Sequence, residues 1–185
     1  MQIRNRKKDE KKVNYYISDL HFGHEKIIRL CHRPFKTVEE MDLSLISSWN
    51  SVVGKRDDVY ILGDFGKTSV DLCKILDLLN GKKHLIVGNH DKQALKNRHF
   101  RNRFEDIRDI ATVHDDGKRI ILFHYPMAEW DCQRKGTWHF YGHIHNVENR
   151  AQKMMRQNPR SVNVCADCIG FKPRTARELT KGRTL

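Results

Sequence analysis

The apolar residues of this chain follow two rhythms. Between positions 38 and 53, Met41, Leu45, Trp49 and Val52 recur at three- and four-residue spacing, which places them on one face of a helix. Thr37 with Glu40 reads as a capping box at its start, and Gly54 as its stop. The stretch from Ser69 to Asn80 repeats the logic, with Ser69 as N-cap, Leu72, Ile75, Leu76 and Leu79 on one face, and Gly81 closing the element. Elsewhere the apolar residues gather in runs of strand length: YYI (15–17), VYIL (59–62), HLIV (84–87), IILF (120–123), HFY (139–141) and VNV (162–164). Helices alternating with such strands predict a layered α/β or α+β fold. Residues 92–110 read as helix plus loop, and Trp138 and Phe140 as core.

The chemistry collects just past the strands. Five of the six runs lead directly into a polar cluster: SDLHFGH, GDFG, GNHD, HYP and GHIH. In open α/β sheets ligand sites gather at the carboxyl ends of strands, so clusters far apart in sequence can converge there. The side chains delivered are Asp19, His21, Asp64, Asn89, His90, His124, His143 and His145. Carboxylate, imidazole and amide donors without cysteine disfavour a closed structural zinc site and suit Mn, Fe, Zn, Co or Ni. Pairs such as Asp19-x-His21 and His143-x-His145 place both side chains on one side of an extended chain, within reach of one metal or of two neighbouring ones. Leaving His90 aside, seven donors are too many for one open catalytic ion and about right for two. Two ions about 3.5–4 Å apart hold a water between them and lower its pKa toward neutrality.

Length and composition narrow the setting. At 185 residues the chain fits one domain, predicted to span 13–185 behind a basic tail at 1–12. No apolar run approaches the roughly 20 residues of a membrane span, and the N-terminal MQIRNRKKDEKK lacks the apolar stretch of a signal peptide, so a cytoplasmic protein without membrane contact is expected. Its five cysteines are odd in number and scattered, consistent with a reducing compartment. Cys165 and Cys168 form a CxxC without a second pair and read as incidental, while Cys31 and Cys73 read as small hydrophobes. A formal charge of +12 favours polyanionic partners. Lys92, Lys96, Arg98, Arg101 and Arg103 fall just after GNHD, where they could flank the mouth of a site.

The ordered blocks Asp19-x-His21, Gly63-Asp64, Gly88-Asn89-His90-Asp91, His124 and Gly142-His143-x-His145 resemble the calcineurin-like metallophosphoesterase superfamily. The resemblance covers 19–145 and points to a small single-domain bacterial or phage-type member. It implies a four-layer sandwich of two mixed β-sheets flanked by helices, with a dinuclear centre at one edge. It further implies that Asp19, His21, Asp64 and His145 hold one ion, and that a bridging Asp64 with Asn89, His124 and His143 holds the other. By the same resemblance His90 assists the leaving group. The implied activity is hydrolysis of phosphoesters, with nucleotides or nucleic acid favoured by the basic surface. The alternatives are a phosphomonoesterase of small metabolites and a catalytically silent scaffold of the same fold.

One departure bears on substrate. Protein Ser/Thr phosphatases of the superfamily continue as G-D-x-x-D-R-G, whereas this chain reads GDFGKTSV, and the missing Arg disfavours protein substrates. Three further residues are candidates around the site. His24 is positioned to touch a substrate phosphate, Arg33 to clamp one bidentately, and Asp91 to orient a neighbouring histidine.

Overall fold

The structure, a computed structural model, describes residues 12–183, so the predicted basic tail lies outside the described residues except for Lys12. In chain order the elements are β1 (Asn14–Ile17), α1 (Glu25–Leu30), α2 (Val38–Asn50), β2 (Asp58–Ile61), α3 (Leu72–Leu78) and β3 (Lys82–Ile86). These are followed by α4 (Arg98–Arg101), β4 (Asp106–Arg108), β5 (Ile110–Asp115), β6 (Lys118–Phe123) and β7 (Trp138–Tyr141). The chain then completes α5 (Arg150–Arg156), β8 (Ser161–Asn163), α6 (Ala166–Ile169), β9 (Arg174–Thr175) and α7 (Ala176–Thr180). All six predicted strands are present.

The strands form two mixed sheets. The first has the order β4-β3-β2-β1-β9, parallel throughout except for β9, and the second the order β5-β6-β7-β8, with β5 antiparallel to β6. Strand periodicity assigns neighbouring residues to different layers. In β1, Tyr16 faces the space between the sheets while Ile17 joins the helix-side core, and Ile86 and Leu85 divide the same way in β3. Because both faces of the first sheet are covered, its strands read as continuous apolar runs instead of alternating ones. The helix-side core sets Met41, Leu45 and Trp49 of α2 and Leu72, Ile75 and Leu76 of α3 against Val59, Ile61 and Leu85. Ile120, Leu122, Trp138 and Phe140 fill the space between the sheets, and Ile121, Tyr141 and Met155 pack a smaller outer cluster. The two sheets meet where Ser18, just past β1, bridges Cys165, just past β8.

The helix ends differ in detail from those the sequence predicts. Thr37 does cap α2 by accepting from the Glu40 N–H, but the Glu40 carboxylate reaches Lys36 N instead of returning to Thr37. That helix ends at Asn50 with Ser51 as C-cap, ahead of Gly54. The N-cap of α3 is Asp71, whose carboxylate accepts from Lys74 N, while Ser69 turns away to donate to the Gly23 carbonyl. The segment 92–110 contains a short 3₁₀ turn and α4 as expected, and then β4, which the apolar pattern did not show. Both β4 and the two-residue β9 are short edge strands of the first sheet, and neither carries a full apolar run.

Candidate metal centre

Each polar cluster begins where its strand stops, and the backbone there leaves ordinary strand geometry. Asp19, His21, Asp64, His143 and His145 all have positive φ, between 48° and 71°. Non-glycine residues rarely hold this left-handed conformation, which costs energy and concentrates at functional sites. Hydrogen bonds from Asp19 N to Gly63 O, His21 N to Asp64 O and Phe22 N to Phe65 O zip the first two clusters together. Two glycines permit the close approach of the others. A Cβ on Gly88 would lie 2.3 Å from Asp64 Oδ1, and one on Gly142 would lie 2.3 Å from Asp19 Oδ2.

The result is two adjoining groups of ligand atoms, Asp19 with His21 and His145, and Asp64 with His124 and His143. Asp64 offers one oxygen to each group: Oδ2 lies 3.7 Å from His21 Nε2, and Oδ1 lies 3.6 Å from His124 Nε2. Asp19 Oδ1 is 3.9 Å from His21 Nε2 and 3.6 Å from His145 Nε2. Asn89 turns its Oδ1 to within 3.0 Å of His124 Nε2. Both Asp19 Oδ1 and His21 Nε2 are buried without a hydrogen-bond partner among the described residues.

Surrounding groups fix how the imidazoles face. His124 Nδ1 is 2.7 Å from the Leu62 carbonyl, an acceptor, so that nitrogen carries the proton and Nε2 turns its lone pair toward Asp64 and Asn89. His145 Nδ1 is held 2.6 Å from Asp167 Oδ2, which directs its Nε2 at Asp19. Around Asp64 acceptors therefore confront acceptors, and beside Asp19 a buried carboxylate oxygen and the His21 Nε2 are left without partners among the described residues. Such an arrangement is costly unless a cation lies between them, and histidines backed by a carboxylate or carbonyl are the usual form of metal-ligating imidazole. On this chemistry the residues fit a pair of divalent ions.

Electrostatics point the same way. Burial drives the Asp64 carboxyl up to about 6, with the nearby Asp19 charge adding to the rise against the pull of His124. Burial likewise holds His21 well below its ordinary value and lowers His143, each pushed further by neighbouring imidazoles. Burial lowers His24 to about 4, and the Lys67 charge contributes to the fall. His145 moves oppositely: burial works against its charged form, yet the hydrogen bond to Asp167 leads the effects that raise it to about 10. Without a cation the Asp64 carboxyl resists ionising, and an ion at the centre would reverse that preference.

Other predicted residues take different places. The side chain of His90 is 44% exposed, with Nε2 4.0 Å from Asp64 Oδ2, so it adjoins the ligand groups and faces solvent. His24 is half-buried, its Nδ1 3.2 Å from His21 Nδ1, and it abuts the site. Arg33 is corrected. Its guanidinium is buried, donating to both Asp167 oxygens and to the carbonyls of Asp19 and Leu20, so it braces the end of β1 and has no face free to clamp a phosphate. Asp91 is also corrected: it orients no histidine. Its carboxylate accepts from Asp64 N, Phe65 N and Gly88 N, locking two of the strand-end loops together. The two cysteines of the CxxC lie beside the centre, Cys165 Sγ donating to Asp19 Oδ2 at 3.0 Å and Cys168 Sγ to the His145 carbonyl at 3.3 Å. Asp167, buried between Arg33 and His145, is a residue that sequence reasoning missed. The available signal was that the sixth strand run, VNV, also leads into a polar cluster, CADC.

A layered fold with paired ligand groups at the carboxyl ends of its strands defines a candidate centre for divalent metals. Residues 15–170 match the calcineurin-like phosphoesterase superfamily domain, and the chain belongs to that superfamily. Among its relatives is the uncharacterized protein MJ1445 of Methanocaldococcus jannaschii, 36% identical over 162 residues that cover 86% of this chain and 84% of that protein. The Gene 66 protein of Mycobacterium phage L5 is 29% identical over 184 residues, covering 84% of this chain and 87% of its own length. Among solved structures, the protein of unknown function AQ665 from Aquifex aeolicus superposes with a TM-score of 0.72 at 27% identity, over 92% of this chain and 99% of that one. Small single-domain and phage relatives are thus both present. No described helix is long and apolar enough to cross a membrane.

Proposed function

We propose that this protein hydrolyses phosphodiesters, with nucleotides or nucleic acid favoured, using two divalent ions. Asp19, His21, Asp64 and His145 would hold one ion, and Asp64, Asn89, His124 and His143 the other. The observation that carries this reading is Asp64, which presents one oxygen to each ligand group. Manganese is the first choice for a mixed N/O donor set, with Fe, Zn, Ni or Co as alternatives. Bound there, divalent ions would supply positive charge for a phosphate and Lewis acidity toward water.

The chain's own groups do the remaining work. His90 stands beside Asp64 with its imidazole open to solvent, where it can give a proton to the departing ester oxygen. Its backbone N–H donates to Asp64 Oδ1 at 2.9 Å, which ties the proton donor to the shared carboxylate. Asp91 keeps the Asp64 and Gly88 backbones in register, and Asp167 keeps His145 aimed at Asp19.

The test pairs elemental analysis with turnover of bis(p-nitrophenyl) phosphate. Chelation is expected to abolish hydrolysis, and reloading with Mn, Ni or Co to restore it together with two ions per chain. Full activity in a rigorously metal-free preparation would end the proposal. Hydrolysis of monoesters alone would move the substrate class to small phosphorylated metabolites, and bound metal without turnover of any phosphoester would favour the scaffold.

A further inference from the structure

A cleft of about 390 Å³ opens beside the centre, lined among others by Asn89, His90, Lys67, Lys92, Gln93 and Lys96. Two of these belong to the site already described, so the cleft is continuous with it. The three lysines come from two different segments: Lys67 follows the GDF turn, and Lys92 and Lys96 follow GNHD. All three are exposed, no acidic residue lines the cleft, and none of the three enters a salt bridge among the described residues. Nearby cations are spent differently. Arg103 forks onto Asp77, Arg101 donates to the Leu95 carbonyl, and Lys83 donates to the Leu79 carbonyl. Of the basic cluster after GNHD, Arg101 and Arg103 are therefore held against the fold, while Lys92 and Lys96 are left facing open space.

We propose that this cleft is a subsite for a second phosphate, carried on the leaving group of the diester. The inference rests on the phosphodiesterase reading above and narrows its substrate to a strand with more than one phosphate, a short oligonucleotide. His90 lies between the Asp64 carboxylate and the cleft, so a leaving oxygen that takes its proton from His90 departs toward the lysines. A nitrophenol leaving there carries no second phosphate to the lysines. A nucleoside bearing a further phosphate meets three exposed ammonium groups, an arrangement that attracts anions and weakens as salt screens it. Lysine suits this task because it binds phosphate as a flexible point charge without demanding one bidentate orientation.

The test uses the metal-loaded protein and two substrates, a dinucleoside monophosphate and the same dinucleotide with an extra terminal phosphate on the leaving nucleoside. The wild type should prefer the second by about tenfold or more in kcat/KM, through KM. In the combined variant Lys67→Gln, Lys92→Gln, Lys96→Gln that preference should fall toward unity, and arginine at the same positions should restore it. No preference in the wild type, or one that survives in the glutamine variant, overturns the subsite. Binding of adenosine 3′,5′-bisphosphate to metal-loaded wild type and variant, by calorimetry, separates this from failure of the underlying reading. If neither dinucleotide is hydrolysed, the diesterase reading falls. The subsite then stands on at least tenfold tighter bisphosphate binding by the wild type, and falls if the two proteins bind it alike.

Discussion

His84, in β3, and His21, just past β1, lie toward opposite ends of the parallel strands of the first sheet, and each lies between two aspartates. At the amino end, His84 Nε2 is 3.2 Å from Asp58 and Nδ1 3.1 Å from Asp106, and its ring stacks on Tyr60. Those carboxylates have further partners, Lys12 for Asp58 and Arg108 for Asp106. At the carboxyl end, His21 Nε2 is 3.9 Å from Asp19 and 3.7 Å from Asp64, too far to bond either, and it is left without a partner among the described residues. The residue types are the same. One end satisfies its polar atoms within the protein and holds none of Asp58, His84 and Asp106 at positive φ, while the other leaves them facing inward and holds its backbone at positive φ. Buried polar atoms without partners are rare in folded proteins, so a concentration of them marks the place where something else binds.

The strongest way to break this contrast is to satisfy the carboxyl end artificially. Asp64→Asn keeps the shape but removes the shared charge. Activity is expected to fall to background and elemental analysis to show loss of metal. Above pH 6 the same change should raise the stability of the chelated protein by about 3 kcal/mol, because the Asp64 carboxyl is pushed from 3.8 up to about 6 and its ionised form is held at a cost. Two tightly held ions in an active Asp64→Asn protein would contradict its shared role.

His90→Ala should lower kcat by about 10²–10⁴ with metal content retained, and less so for substrates with good leaving groups, which need little protonation. An equal loss for good and poor leaving groups would instead favour electrostatic stabilisation. Asp167→Asn should weaken metal binding by about 10–100-fold by releasing the orientation of His145. Competition with a fluorescent chelator measures it. Asp167→Ala is the harsher change, since it strands the buried Arg33 guanidinium without its carboxylate, and should cost about 3–5 kcal/mol of stability. If Asp167→Asn binds metal as tightly as the wild type, the carboxylate serves Arg33 alone.

Much of this end was legible because the strands of a sheet covered on both faces are unbroken apolar runs, so the first polar residue after each marks a strand end. YYI leads to Asp19, VYIL to Asp64 and HLIV to Asn89 by that logic. What the pattern could not show was direction. Arg33 and Asp91 are polar residues near the blocks, and nothing in their spacing says that the guanidinium turns inward to Asp167 or that the carboxylate collects three backbone N–H groups. Asp167 was hidden because the sequence around it draws attention to its cysteines. The amino end was not legible at all. Asp58, His84 and Asp106 are far apart in sequence, and β4, which supplies Asp106, lacks the apolar run that revealed β1, β2 and β3.

A milder probe tests the satisfied end. His84→Ala should leave metal content and turnover unchanged while lowering stability to denaturant by about 1–2 kcal/mol, the loss of two side-chain hydrogen bonds partly made good by Lys12 and Arg108. Loss of metal in this variant would mean that the two ends communicate and are not independent solutions.

The smallest effect is a difference in slope with pH, measured on chelated protein by denaturant titration. The Asp64 carboxyl lies at about 6 when folded against an ordinary 3.8, so between these values the folded form keeps a proton that the unfolded form releases. Its stabilising influence is full below the lower value and is lost as pH rises through 6. His24 and His139 run the other way. Burial holds both near 4 against an ordinary 6.5, so the unfolded form takes up protons first, and stability that is full above 6.5 drains away as pH falls toward 4. In the wild type the two tendencies oppose each other between about pH 4 and 6. Asp64→Asn removes one of them, so its stability should fall more steeply on acidification, by up to about 1.4 kcal/mol per pH unit for the single proton involved. Asp42, which burial also raises to about 6, is present in both proteins and cancels from the comparison. Parallel curves would mean that the Asp64 carboxyl titrates like a satisfied surface group, and the two ends of the sheet would then differ in geometry but not in energy.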